Sequence, residues 1–372
     1  MDRACIAYGW VRTATPPSPS GTAIKNMDKI LSRNSLAKKD GWERTTMKRL
    51  SAFAAAGLAL TVAAAAIARN PQFEGADPHA MMIGDELWIF PTGGPGGSWA
   101  ADRFGAFSSR DLKTWQPRGE LIRRDQIRWI KDDGAPEHFL WAPGVATRNG
   151  RYYLYCSVGP QNPTPSRIGV AVADRPEGPY RDSGRPLVTG DKAFEAIYPM
   201  VFTDRKSGKT YLYAGGSAGA RLRVWELKPD MVSIAREVTV ATPPQFTEGA
   251  FMHERGGIYY LSYSHGRFNG PDYSVHYATA PSPTGPWRYR GAILTSDARH
   301  QGPGHHSFVT LPDGRPMIVY HRWDRAPGPG PFQGERVVAI DRIAYTPDGR
   351  IRPVRMTDDE APVIPARPQD AK

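Results

Sequence analysis

Five short segments of this 372-residue chain carry side chains able to do acid–base or binding chemistry, and each lies seven to ten positions before the opening of an aromatic-rich hairpin. They are Gly75-Ala76-Asp77-Pro78-His79, Trp141-Ala142-Pro143-Gly144, Ile197-Tyr198-Pro199-Met200, Thr247-Glu248-Gly249-Ala250 and Gly304-His305-His306-Ser307. Two carboxyls held in different surroundings can divide the work of proton donor and proton acceptor. Each also has a bland reading, Asp77 as an Asp-Pro turn cap and Glu248 as a solvated turn residue. Their recurrence at matched places of a repeat weighs against it.

Other motifs do not hold up. Gly215-Gly216-Ser217-Ala218-Gly219 spells G-x-S-x-G, which as a nucleophile elbow needs a strand before it and a helix after. The stretch after it, Arg221-Leu222-Arg223-Val224-Trp225, alternates like a strand, so the motif reads as a Gly-rich hairpin turn. His253-Glu254-Arg255 lacks the second His of a zincin, and no Cys/His cluster has zinc spacing. Gly93-Gly94-Pro95-Gly96-Gly97 lacks the Lys-Ser/Thr of a phosphate loop.

The elements that must position these segments repeat along the chain. Hairpins open at Gly84, Gly150, Gly208, Gly256 and Asp313, 66, 58, 48 and 57 residues apart, each an aromatic or aliphatic strand, a gap, a second strand, then a turn and an apolar pair. A period near 50 with three or four strands per unit is the signature of a β-propeller, so the expected fold is all-β, a five-bladed β-propeller. Three of the five segments contain Pro, which is confined to strand edges, first residues and bulges. The innermost strand of a blade is such an edge, so polar residues matched across five blades converge on one axis.

Composition agrees. The 38 Gly and 35 Pro, with 10 Trp and 16 Tyr, favour many short strands and tight turns over long-helix, collagen or disordered classes. The net charge of +11 is lopsided: residues 1–68 carry ten Lys/Arg against four Asp/Glu, leaving 38 against 33 over residues 69–372. With no clustered basic run interleaved with aromatics in that remainder, no nucleic-acid partner is expected. Cys5 and Cys156 cannot form a disulfide framework, and Cys156, within Tyr152-Tyr153-Leu154-Tyr155-Cys156, reads as a buried thiol.

Met47-Lys48-Arg49, the apolar run over residues 50–68 and the ending Ala66-Ile67-Ala68 read as a signal peptide, with a membrane anchor as the alternative. The expected organisation is an upstream or misassigned leader (1–46), a signal peptide (47–68) and a five-bladed propeller domain (69–372). The expected location is periplasmic or secreted, with no stable membrane span after cleavage. The oligomeric state is left open.

The same segments carry a resemblance. Asp-Pro-His at residue 77, Trp-Ala-Pro at 141, Pro199-Met200-Val201-Phe202, Glu248-Gly249 and Gly-His-x-Ser at 304 make the chain similar, over about residues 71 to 356, to glycoside hydrolase family 43. That family comprises five-bladed propellers acting on arabinose, xylose and in some cases galactose glycans. The resemblance implies an inverting glycosidase releasing arabinofuranosyl, xylosyl or galactosyl residues from plant-type polysaccharide, by exo rather than endo action, with carbohydrate as its partner. It makes Asp77 the general base and Glu248 the general acid, with the carboxyls roughly 6.5 to 9.5 Å apart; a retaining propeller glycosidase would instead hold them at roughly 5 to 5.5 Å.

By the same resemblance Trp141 offers an apolar face to a sugar ring, Arg336 reaches the substrate or a carboxylate, and His79 and His306 join the substrate-binding set. His305 matches a channel histidine beside a bound cation, often calcium, that would be structural; no cofactor is required for the chemistry. Core packing for Trp141 and a surface salt bridge for Arg336 are the bland alternatives. Trp129 and Glu137-His138, in the insert before Trp141, are candidates for walling the site.

Two positions depart from the family pattern. Tyr198 stands where an Asp usually orients the acid and tunes its pKa, and Gly144 where Asp is common. Reduced activity, an altered site that uses Tyr198, and substitution by Glu195 or Asp191 are three accounts of the first. A non-hydrolytic glycan-binding propeller is the competing reading.

Overall fold

The computed structural model describes residues 69–93, 100–217, 219–324, 326 and 328–358. The expected leader and signal peptide, most of the glycine-rich stretch 93–97 and the Pro-rich tail from residue 362 lie outside the described residues.

The described chain is five antiparallel sheets with a single 3-10 turn at Arg124–Gln126. The first strand, β1 (Phe73–Glu74), joins the last blade. Blade one is β2 (Ala76–Ile83), β3 (Glu86–Thr92), β4 (Arg103–Ser109) and β5 (Gln116–Arg123). Blade two is β6 (Leu140–Arg148), β7 (Arg151–Val158), β8 (Arg167–Ala173) and β10 (Val188–Thr189), with β9 (Arg181–Asp182) also on β8. Blade three is β11 (Met200–Thr203), β12 (Thr210–Ala214), β13 (Arg223–Leu227) and β14 (Ile234–Val238). Blade four is β15 (Glu248–Arg255), β16 (Ile258–His265), β17 (Ser274–Ala280) and β18 (Arg288–Leu294). Blade five is β19 (His300–Thr310), β20 (Pro316–Asp324), β21 (Val337–Arg342) and then β1.

Strands β2, β6, β11, β15 and β19 touch one another in a closed ring, so the expected five-bladed propeller is the fold observed. Five apolar clusters fill the five blade-to-blade interfaces; one holds Leu87 and Ile89 of blade one against Val319, Val338 and Ile340 of blade five. Second strands are therefore covered on both faces. This explains why Tyr153-Leu154-Tyr155-Cys156 reads as a continuous apolar run, whereas outer strand β14 is mostly exposed. Cys156 is free and buried, and burial pushes its thiol up to about 12, as the sequence reading expected.

Four of the five inner strands bend where their pairing slips. The register slips between Ala76 and His79, Trp141 and Gly144, Glu248 and Phe251, and Gly304 and Ser307. Pro78 and Pro143 sit inside such bulges, where a missing N–H costs nothing, and Pro199 lies at the matched place just ahead of β11. One residue at the matched place of every blade takes a left-handed backbone: φ is +49° at Asp77, +44° at Ala142, +60° at Tyr198, +63° at Gly249 and +37° at His305. Gly144 is explained by the neighbouring blade, because an added Cβ would lie 2.1 Å from the Pro199 carbonyl oxygen.

Closure depends on the N-terminal segment. The Asn70 carboxamide bonds both backbone groups of Ile340, each at 3.0 Å, and so acts as an extra strand residue on β21. Asn70→Ala strands two buried backbone groups and is expected to cost about 2 kcal/mol, read as a lowered urea midpoint at unchanged slope.

Candidate active site

Asp77, Tyr198 and His305 occupy one register position in three blades, the left-handed residue of the inner strand. Glu248 stands one place earlier in its blade, next to the left-handed Gly249, and Trp141 has the same earlier place in blade two. The matched repeats thus bring Asp77, Trp141, Tyr198, Glu248 and His305 to one end of the channel.

A second set of residues holds the first in place. The N–H of Asp77 donates to His321 Nδ1 (3.0 Å), that of Ala142 to Thr92 Oγ1 (2.7 Å), that of Tyr198 to Ser157 Oγ (2.9 Å) and that of His305 to Ser264 Oγ (2.8 Å). Each acceptor comes from the second strand of the preceding blade. Gly215 fills the matched place in blade three, opposite Gly249, which adopts a positive φ without strain.

Asp77 is 6% exposed and fully engaged. Arg336 Nη1 donates to Oδ1 at 3.0 Å, Thr92 Oγ1 donates to Oδ2 at 2.7 Å, and His305 Nδ1 and His321 Nδ1 each lie 3.4 Å from Oδ1. Burial alone would raise its pKa, but Arg336 first, then the two imidazoles and Thr92, outweigh it and hold the carboxyl well below the usual carboxylate range. Burial depresses His305 to about 4 and His321 well below its ordinary value, so both rings are neutral at pH 7 and Arg336 is the balancing charge.

Glu248, 2% exposed, is shifted the other way, to about 7. Burial is the main cause and the charge on Asp77 adds to it, while hydrogen bonds from Tyr273 and Ser217 moderate the rise. Tyr273 donates to Oε1 at 2.8 Å and Ser217 reaches Oε2 at 3.2 Å. The site therefore holds a carboxylate and a carboxylic acid together at neutral pH, the division needed for acid–base catalysis.

Tyr198 is half-buried, its ring edge-on to His305 at 4.8 Å, and burial followed by the charges of Glu248 and Asp77 keeps its phenol protonated. Neither candidate substitute carboxylate is turned towards Glu248. Glu195 accepts from the Ser166 N–H (2.9 Å), and Asp191 faces Arg223 at 3.7 Å. Trp141 is half-buried, stacked on Phe139 at 5.8 Å and laid against Gly159, where a Cβ would come within 2.4 Å of the indole. Arg336 is 3% exposed and bonded to Asp77, which replaces the surface-salt-bridge reading.

Two expectations need correction. His306, expected among the substrate-binding residues, packs into the blade interface: it is 2% exposed, bonded to Ser262 and set among Phe251 and Phe308. His79 is half-buried, its ring against Phe90 and Phe251 and hydrogen-bonded to the Val145 backbone. The insert does not wall the site through Trp129 or His138: Trp129 is buried over Gly169 with its N–H on Asp182, and His138 is buried on Asp133.

A calcium ion beside His305 would find no set of direct carboxylate ligands among the described residues and would be held through waters. The carboxylate neighbour of His305 is already engaged by Arg336 and Thr92, and among the described residues no group of three or more His, Cys, Asp or Glu is arranged for a metal. No step of the hydrolysis is assigned to one.

Sequence reading missed Thr92, Ser217, Tyr273 and His321. Thr92 and His321 had a legible signal, since Thr92, Ser157, Ser264 and His321 each lie within the last four residues of the second strand of a blade. Ser217 lay inside the glycine-rich motif set aside as a turn, which it is. Tyr273, in the turn before β17, has no repeat signal; its role emerges once Gly304 clears space for its ring.

A raised folded-state pKa means that stability is full below about pH 4.5 and is lost as pH rises through 7. Glu248→Gln, whose amide suits both Tyr273 and Ser217, is therefore expected to stabilise the protein by about 3 kcal/mol at pH 8 and to leave it unchanged at pH 4. Denaturant unfolding at the two pH values checks this.

The sequence model for glycosyl hydrolases family 43 matches residues 68–351. A β-D-galactofuranosidase from Aspergillus niger is 38% identical over 316 residues, 78% of this chain and 86% of that protein. A xylosidase/arabinosidase from Humicola insolens is 29% identical, covering 74% of this chain and 95% of its own. The crystal structure of a thermostable family-43 glycoside hydrolase superposes with a TM-score of 0.66 at 26% identity, covering 80% of this chain and 99% of that one. With the propeller and its two oppositely shifted carboxyls, these matches establish that the chain is a glycosidase and belongs to glycosyl hydrolase family 43.

Proposed function

We propose that this glycosidase removes terminal arabinofuranosyl, xylosyl or galactofuranosyl residues from plant-type polysaccharides or their oligosaccharides, with inversion. The observation that carries this is a pair of buried carboxyls in contrasting surroundings at one end of the channel, Asp77 bonded to the Arg336 cation and Thr92, Glu248 bonded only to the neutral hydroxyls of Tyr273 and Ser217. The relatives named a galactofuranosidase and a xylosidase/arabinosidase support the sugar class.

Asp77 Oδ1 and Oδ2 are held by Arg336 and Thr92, so the base is fixed before substrate arrives. It draws a proton from water as that water attacks the anomeric carbon, while Glu248 gives its proton to the departing glycosidic oxygen. Trp141 supplies an apolar ring against one face of the sugar. Tyr198 leaves the acid competent, because burial and Asp77 already keep Glu248 protonated to about pH 7. Export is part of this reading. It is supported by the basic start at Met47-Lys48-Arg49 and the apolar run ending at Ala68. Among the described residues no helix is long and apolar enough to cross a membrane.

On a panel of aryl α-L-arabinofuranoside, β-D-xyloside and β-D-galactofuranoside, turnover of at least one is expected. Asp77→Asn should lower kcat by about 10^3-fold on every substrate turned over, and Glu248→Gln by about 10^3-fold on the alkyl glycoside of the same sugar, whose leaving group needs the proton. Full activity of Glu248→Gln on that alkyl glycoside, or a product released with retained configuration by NMR, would sink the mechanism.

The pH profile of kcat/KM should be flat on the acid side, because Asp77 stays ionised, and should fall above about pH 7 as Glu248 loses its proton. Tyr198→Asp adds an anion beside the acid and is expected to move that fall to higher pH. An unmoved fall would show that residue 198 does not sense Glu248.

A further inference from the structure

We propose that Tyr273 and Ser217 are positioning residues that clamp the Glu248 carboxyl, holding Oε1 as an acceptor so that the transferable proton sits on Oε2. The inference rests on the glycosidase reading and assigns to neutral hydroxyls the orienting work for which position 198 has no carboxylate.

The Tyr273 phenol donates to Glu248 Oε1 at 2.8 Å in a fully buried setting. Its ring is stacked on His321 at 5.8 Å and 7°, and it fills the space beside Gly304, where an added Cβ would come within 2.0 Å of the ring. Held between these neighbours, the hydroxyl keeps its direction. Burial, reinforced by the charge of Glu248, keeps that phenol protonated, so it always has a hydrogen to give. An oxygen that accepts this bond is the poorer seat for the carboxyl's own proton, which leaves Oε2.

Ser217 Oγ stands 3.2 Å from Oε2 and also hydrogen-bonds the Tyr198 phenol. A serine hydroxyl has one hydrogen and two lone pairs. It donates to Oε2 before and after transfer and leaves the Oε2 hydrogen free to face the glycosidic oxygen, to which it passes as the C–O bond breaks. No other group changes charge. The turn carrying Ser217 is pressed onto the acid: a Cβ on Gly216 would fall 2.5 Å from Glu248 Cβ and 2.9 Å from the Tyr198 ring. A serine in this place is therefore fixed by the backbone beside it.

The test compares the unaltered enzyme with Tyr273→Phe and Ser217→Ala on glycosides that share one sugar and carry leaving groups from nitrophenol to an alkyl alcohol. Nitrophenolate departs without protonation, whereas an alkoxide needs the acid. Tyr273→Phe is expected to lose about 10^2-fold in kcat on the alkyl glycoside and under about tenfold on the nitrophenyl one. Its alkaline fall should move to higher pH, since the lost bond favoured the ionised carboxyl. Equal losses on all leaving groups, or an unmoved fall, would overturn the clamp.

A second measurement does not depend on turnover. The 13C shift of the Glu248 carboxyl, assigned by its disappearance in Glu248→Gln, is titrated in each variant. A midpoint raised in Tyr273→Phe and in Ser217→Ala supports the clamp, and an unchanged one overturns it. Silence of the unaltered enzyme on every glycoside would count against the hydrolase reading alone, because the titration would still decide the clamp.

Discussion

An inner strand can present a side chain squarely to the channel only if it bends there, and in this protein the bend is a left-handed residue in every blade. For Asp77, Ala142, Tyr198 and His305 that conformation costs on the order of 1–2 kcal/mol each, because Cβ crowds the following carbonyl. The cost is offset by a hydrogen bond from each strained N–H to the preceding blade: Asp77 to His321, Ala142 to Thr92, Tyr198 to Ser157 and His305 to Ser264. The strain is therefore supported by the ring, and a lone blade would lack the partner. Closure by Asn70 and β1 contributes to the geometry of the site for the same reason, since it seats blade five, and with it His321, beside Asp77.

Thr92 shows how closely architecture and chemistry are joined. Its hydroxyl accepts from the strained N–H of Ala142 and donates its hydrogen to Asp77 Oδ2. With one hydrogen and two lone pairs, both bonds are made at once. One side chain thus fixes the blade-two bend and the orientation of the base in blade one.

Repeats were the legible part. The fold, the ring and the convergence of Asp77, Tyr198, Glu248 and His305 follow from segments that recur at the same distance, seven to ten residues, before each hairpin, because that offset fixes their place in the blade. Departures from the repeat were harder to read. His306 lies one residue beyond a channel position, and a single step along a strand turns a side chain to the other face, here among Phe251 and Phe308. Trp129 looked available only because its partners Gly169 and Asp182 lie far along the chain. Tyr273 was invisible for the opposite reason: its place in the site is opened by an absent side chain, at Gly304.

The charge balance of the pocket explains why a phenol is tolerated at position 198. With Glu248 protonated, Asp77 and Arg336 cancel, so the buried site carries no net charge. A third carboxylate would add an anion against the same single guanidinium, and its desolvation would have to be met by neutral donors. Tyr198 avoids that cost and keeps a donor beside Ser217. It gives up one anion's worth of upward pressure on the acid. Burial supplies the larger part of that pressure and Asp77 adds to it, so the proton is retained at neutral pH. The margin is narrow, however, because a midpoint of about 7 leaves only part of the enzyme protonated in mildly alkaline surroundings. An enzyme built this way is matched to neutral or acidic medium, and its working range is set by the two hydroxyls that hold Glu248 as much as by the carboxyl itself.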